Sequence, residues 1–171
     1  MGRIVSNFFI SLDGVVESPD QWHFPYFDDE MGSVIGAGME SAGAFMMGRN
    51  LYGEWSDYWT TTDQDQDFAK FINAIPKYVV SSTLTDADVT WNNSRLITGD
   101  QDAVRAGIQA AKDETEGDIQ ISGNRRWCAR CSRWGCSTSS RCCSTRSRSG
   151  TASGCSRTLR RTRWSSPRSG R

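Results

Sequence analysis

The sequence predicts an α/β domain built on a mainly parallel sheet, and three observations carry that prediction. Short apolar runs filled on both parities recur along residues 1–123, as strands buried on both faces require. Between them lie stretches with apolar residues at helical spacing, several opened by acidic residues. The two kinds of segment alternate, which is the pattern of strands joined by crossover helices. A length of 171 residues suits one domain with a real core and is too short for two.

Taken in order, Ile4-Val5-Ser6-Asn7-Phe8-Phe9-Ile10-Ser11 reads as a buried first strand, and Leu12-Asp13-Gly14-Val15-Val16 as the turn after it. Ser18 to Asp29 is rich in Pro, aromatic and acidic residues and reads as a long functional loop. Met31, Ile35 and Met39 then recur at helical spacing, with Asp28, Asp29 and Glu30 suited to the helix N-terminus. Ala44-Phe45-Met46-Met47 is a second buried strand, running through Gly48-Arg49-Asn50 into a helical turn with Leu51, Tyr52 and Trp55. Phe68, Phe71 and Ile72 mark a short helix closed by Pro76, and Lys77-Tyr78-Val79-Val80-Ser81 a third strand. Val89-Thr90-Trp91 and Arg95-Leu96-Ile97-Thr98 suggest short extended pieces. Val104, Ile108 and Ala111 form one face of a helix opened by Asp100 or Asp102. Asp118-Ile119-Gln120-Ile121-Ser122-Gly123 is a strand entering a glycine turn.

Charge divides the chain at that turn. All 20 acidic residues lie in residues 1–123 against seven Lys or Arg, leaving −13. Residues 124–171 hold 13 Arg and no Lys, Asp or Glu, for +13, together with all six Cys and 12 Ser. Leu159 is the only aliphatic residue there larger than Ala, too little apolar surface to offset the entropy of ordering. The tail is therefore expected to be disordered, and the domain to comprise residues 1–123. No apolar run is long enough to span a membrane, and no secretory signal is visible, so a cytoplasmic location without membrane partners is expected.

Three predicted strand ends carry groups suited to phosphate. Met47-Gly48-Arg49-Asn50 brings backbone N–H groups and an Arg to a helix N-terminus. Ser81-Ser82 offers hydroxyls, and Ser122-Gly123 a residue that allows close backbone approach. Singly each is a common structural feature; their order along one α/β pattern gives them weight.

Ser11-Leu12-Asp13-Gly14-Val15-Val16, Met47-Gly48-Arg49-Asn50-Leu51-Tyr52, Pro76-Lys77-Tyr78-Val79-Val80-Ser81 and Asp118-Ile119-Gln120-Ile121-Ser122-Gly123 together resemble dihydrofolate-reductase-like proteins. The nearest branch is the C-terminal reductase domain of bacterial riboflavin biosynthesis enzymes and its stand-alone relatives. The resemblance implies the three-layer fold of that family and NADPH as hydride donor. Gly48, Arg49 and Asn50 would then meet the cofactor phosphates, Ser81 and Ser82 the 2′-phosphate side, and Gly123 the pyrophosphate. Asp13, as a candidate catalytic residue, and Val15 would lie near the nicotinamide. Trp22-His23-Phe24-Pro25-Tyr26-Phe27-Asp28 is similar in layout to the family's substrate loop, offset by one residue. Asp28 reads first as a helix cap and second as a catalytic acid, and the sole histidine, His23, first as a surface or loop residue. Trp22, Tyr52 and Trp55 are candidate substrate residues, although Trp55 and Trp59 also suit a core. A small heteroaromatic substrate is expected, and a homodimer is left open.

The tail fits none of this design. Cys128-x-x-Cys131 with Cys136, Cys142 and Cys143 matches no standard pair of zinc knuckles, so no metal is expected. Nucleic-acid binding by the Arg-rich tail is the alternative function, but a −13 domain would compete for that tail, and no specific nucleic acid is expected. A nucleotide-binding module without catalysis also stays open. A shifted reading frame near codon 124 fits best. Read one nucleotide earlier, every Cys or Trp codon becomes one for Leu, Val or Met, and every Thr codon one for Asp, His, Asn or Tyr. Positions 127, 128, 131 and 134 would then fall along one helical face. One permitted decoding from Trp127 reads VVRALLAVGLLDELALLLHPVPVGHG, which resembles the family's next helix and strand. The chain as written is expected to lack that helix and the last strands, leaving the strand that ends at Ser122 without its later neighbours and the protein prone to aggregate or inactive.

Overall fold

The computed structural model describes residues 2–11, 13, 15, 16, 18–122 and 138–145, the last stretch by its backbone alone. Six strands form one sheet: β1 (Ile4–Ser11), β2 (Ala42–Gly48), β3 (Lys77–Val80), β4 (Ser94–Ile97), β5 (Asp118–Ile121) and β6 (Thr138–Thr145). Their order is β4-β3-β2-β5-β1-β6, and every pairing is parallel. Among the described residues four α-helices connect them: α1 (Asp29–Ser41), α2 (Arg49–Thr61), α3 (Gln66–Ala74) and α4 (Gln101–Glu114). The α/β fold with a parallel sheet is the one the alternation of the sequence predicts.

Strand parity divides the core into two layers. Ile4, Ala44, Met46, Tyr78, Val80, Ile119 and Ile121 face Val104, Ile108 and Ala111 of α4. Phe45, Met47 and Val79 face the other way, onto Tyr52 of α2 and Ile72 of α3, with Trp55, Trp59, Phe68 and Phe71 packed around them. Full burial of a side chain such as Ile72 contributes roughly 1.5–3 kcal/mol. Helix α1 lies on this second face as well. Gln120, in register with Phe45, donates from Nε2 to the Gly38 carbonyl at 3.1 Å and accepts from Asn7 Nδ2 at 2.8 Å.

Polar groups at the amino ends of the strands fasten the helices. Lys77 is fully buried and donates from Nζ to the carbonyls of Ile72 and Ile75, each at 2.8 Å, so it caps the C-terminal end of α3. Its ammonium stands 4.6 Å from the Trp91 ring centre, and burial pushes it down to about 8. Arg3 grips the buried Asp118 carboxylate through two bonds of 2.9 Å. β2 bulges between Ala42 and Ala44, because Gly43 passes so close to Glu116 that a Cβ there would lie 1.9 Å from its carbonyl oxygen.

Three sequence-based expectations need correction. Val89-Thr90-Trp91 is not a strand: Trp91 is buried and its backbone N–H donates to the Tyr52 hydroxyl at 2.9 Å, which takes the segment out of any ladder. The strand ending near Ser122 is not left at an edge, since β5 sits between β2 and β1. Within residues 124–171, Thr138–Thr145 forms β6 and pairs with β1 over its full length, where no fixed structure was expected. A ladder is made by backbone groups that every non-proline residue carries, so a Ser/Thr/Cys run can supply it without an apolar side-chain pattern. The rest of the tail, with Cys128, Cys131 and Cys136, lies outside the described residues. Among the described residues, no helix is long and apolar enough to cross a membrane.

Candidate functional site

The carboxyl ends of the strands gather the predicted residues. Gly48 ends β2 in register with Val80, the last residue of β3, so Arg49 and Ser81 leave adjacent strands at the same level. Gly48 serves as the N-cap of α2 without any side chain to satisfy the first-turn N–H groups. That leaves the amides of Arg49, Asn50 and Leu51 as donors at the positive end of the helix. The exposed Arg49 guanidinium reaches across to Thr83, donating from Nη1 to Oγ1 at 3.2 Å, and also leans on Asn50 Oδ1 at 3.5 Å. Asn50 is exposed beside it.

Ser81 and Ser82 divide in role. Ser81 is buried, and its Oγ accepts from the backbone N–H groups of Thr83 and Leu84, each at 3.1 Å. It shapes the turn after β3, while Ser82 and Thr83 are exposed on that turn. Sequence reasoning passed over Thr83. The run of three hydroxyl residues, Ser81-Ser82-Thr83, was the available signal. On the other flank of β2, Met46 pairs with Ile121, which puts Ser122 beside Met47. Gly123 lies outside the described residues.

β1 runs five residues beyond the end of β5, because Ser6 pairs with Ile121. The end of β5 is thus a notch flanked by the β1 overhang on one side and the α2 N-terminus on the other. Helices α1 and α2 start on the same face of the sheet, over the two flanks. In open α/β sheets ligands bind outside the carboxyl ends at such a reversal of strand order. The turn after the β1 overhang is closed by its own polar groups. The Ser11 hydroxyl donates to the Asp13 carboxylate, and Val15 and Ser11 exchange bonds of 2.9 and 3.0 Å. Asp13 and Val15 are both exposed there.

The loop before α1 departs from its expected layout. Asp28 is the N-cap of α1, accepting from the Met31 N–H at 2.8 Å, which is the first of the two roles read for it. His23 is 7% exposed rather than at the surface. Its ring stacks on Phe9 of β1 at 4.2 Å, meets Phe24 at 4.2 Å and stands edge-on to Trp22 at 6.4 Å. Aromatic neighbours on both sides of one histidine, Trp22-His23-Phe24, were the sequence signal for this packing. Phe24, Tyr26 and Phe27 remain exposed around it.

Of the residues read as substrate contacts, Tyr52 is buried in the core and Trp55 is partly buried against it. Tyr52 is buried and its hydroxyl holds the Trp91 N–H, and Trp55 packs against Phe45, Trp59 and Phe68 at about 6 Å. Both sit inward because α2 turns its apolar face onto the sheet at helical spacing from Leu51 onward.

The dihydrofolate reductase from Enterococcus faecalis, solved in complex with NADP(H) and RAB-propyl, is 14% identical, with a TM-score of 0.44 over 74% of this chain. This chain spans 61% of that protein's chain. No curated protein matches the chain. The profile of the RibD C-terminal domain matches residues 3–122, the whole of the segment that builds β1 to β5 and α1 to α4, and the chain belongs to that family.

Proposed function

We propose that this chain is an NADPH-dependent reductase of the riboflavin-biosynthesis or dihydrofolate-reductase-like type, acting on a small heteroaromatic substrate. The observation that carries the reading is the meeting of Gly48, Arg49, Asn50, Ser82 and Thr83 at two adjacent strand ends beside an open helix N-terminus. That donor set, one guanidinium with amides and hydroxyls and no carboxylate among the named groups, fits the phosphates of a dinucleotide. When bound, the reduced nicotinamide supplies a hydride for a C=N or C=O bond. The protein's part is to hold both reactants in the notch at the end of β5 and to exclude water there. Ser122 and Gly123 would border the pyrophosphate, and Asp13 and Val15 the nicotinamide side of the notch. Trp22 would border a flat substrate from the loop before α1.

The test compares NADPH and NADH affinities of the full chain by fluorescence titration. NADPH is expected to bind more tightly, and Arg49→Ala to weaken it by roughly 1.5–3 kcal/mol, the worth of a charge-assisted contact. Equal affinities that ignore the substitution would sink the phosphate assignment.

The tail belongs to the same reading. In the shifted frame given above, the eight positions of β6 decode as Asp-Glu-Leu-Ala-Leu-Leu-Leu-His, with a run of five apolar residues at the place where Thr138–Thr145 pairs with β1. We take residues 124–171 as a frame-shifted remnant of the family's last helix and strands. Sequencing the gene across codons 115–135 checks this, and a native gene with no alternative frame refutes it.

A further inference from the structure

We propose that His23 is the proton donor of the reduction, an inference that rests on the reductase function proposed above. Reducing a C=N bond needs a proton as well as a hydride, and the two carboxylates nearest the notch in this reading are otherwise engaged. Asp28 caps α1 through the Met31 N–H, and Asp13 takes the Ser11 hydroxyl in the turn after β1. His23 is the only histidine in the chain, and imidazole is the side-chain type best suited to exchange protons near neutrality.

Its placement suits the role. Phe9 lies on the β1 overhang, past the end of β5 and on the face that α1 covers, and His23 stacks on it at 4.2 Å. The imidazole therefore stands at the rim of the same notch that the α2 N-terminus borders from the other side. Nδ1 engages the Pro19 carbonyl at 2.5 Å, and a carbonyl can only accept, so Nδ1 carries a proton. The exchangeable site is thereby Nε2, on the far side of the ring from that turn. Among the described residues Nε2 has no hydrogen-bond partner. Stacking between Phe9 and Phe24 holds the ring plane fixed. In the step itself the substrate carbon accepts the hydride and its electron pair, and the π pair of the C=N bond moves onto nitrogen. That nitrogen takes the proton from Nε2 of the imidazolium. The neutral imidazole regains a proton from water.

Because the chain has one histidine, its imidazole Hε1 resonance is unambiguous in a proton NMR spectrum of the full chain. Folate, a flat heteroaromatic probe, should shift that resonance when added with NADP+. His23→Asn retains a donor for the Pro19 carbonyl but has no ionisable nitrogen. It should bind NADPH as the parent does, and oxidise NADPH with 7,8-dihydrofolate roughly 100-fold more slowly or worse. Its rate should also lose its dependence on pH near neutrality. Phe9→Leu, which removes the stack and keeps the imidazole, should lower the rate less than His23→Asn does. An imidazole resonance unmoved by folate, or a His23→Asn rate within threefold of the parent, overturns the assignment. So does a rate that falls for Asp28→Asn and not for His23→Asn, which returns the proton to Asp28. A full chain that binds no NADPH fails at the earlier reading and takes this one with it, so the two failures are told apart.

Discussion

At the scale of single residues, the structure separates groups that hold the fold from groups offered to a ligand. Lys77 is of the first kind, although a buried, perturbed lysine is a common mark of chemistry. Its Nζ meets the carbonyls of α3 at the amino end of the sheet, the opposite end from the candidate site. Its value near 8 lies below the usual 10.5, so between these the unfolded chain binds the extra proton. Stability should therefore rise with pH from about 8 to 10 and be flat below that window. Lys77→Met should abolish the rise and leave the α3 carbonyls unpaired, at a cost of about 1–3 kcal/mol. Urea denaturation at pH 7, 8.5 and 9.5 measures both effects. Tyr78 acts above the window, because burial raises its hydroxyl and the stability it contributes fades only as pH climbs past 10. On the acid side, Glu114 accepts from the Tyr78 hydroxyl at 2.7 Å and from Arg95, which holds its carboxyl below the usual 4.5. Its contribution is complete above that value and lost as pH falls through the lowered one. Glu114→Gln should flatten the parent's loss of stability in that range.

At the scale of elements, strand and helix positions were legible because each carries its own local signal. Val79 and Val80 on both parities announce a buried strand, and Asp28 and Asp100 announce the helices they cap. Asp28→Ala should cost about 1 kcal/mol, within 0.5–2, while Asp28→Asn should cost little, since Asn caps as well. Thermal melts of the two variants decide this. Pairing order was not legible. Nothing in Asp118-Ile119-Gln120-Ile121 says that it inserts between β2 and β1, because that follows from crossover topology and not from any residue. The inward turn of Tyr52 was hidden for a related reason: its partner is the backbone N–H of Trp91, 39 residues away. Gly43 shows the same dependence on distant chain. A Cβ there would strike backbone of Glu116 and the Thr115 side chain, so Gly43→Ala should destabilise by about 1–3 kcal/mol or more, and denaturant midpoints would show it.

At the scale of the whole molecule, a sheet whose strands come from residues 4–121 carries a sixth strand from a segment of different composition. The split in charge at residue 123 was plain in the sequence, and the pairing of Thr138–Thr145 with β1 was not, because backbone hydrogen bonding leaves no mark on composition. In the decoding given above, restoring the frame should place apolar side chains at positions 140–144 of that strand and raise the melting temperature. NADPH should raise it further by mass action. An unchanged melting temperature on restoration would count against the frame reading. Hydrogen exchange of the full chain with and without NADPH tests most directly whether the dinucleotide binds at the carboxyl edge of the sheet. Protection is predicted at the first turn of α2 after Gly48 and at the Ser81–Leu84 turn, with the amino ends of the strands unchanged. Protection elsewhere, or none at saturating NADPH, would contradict it.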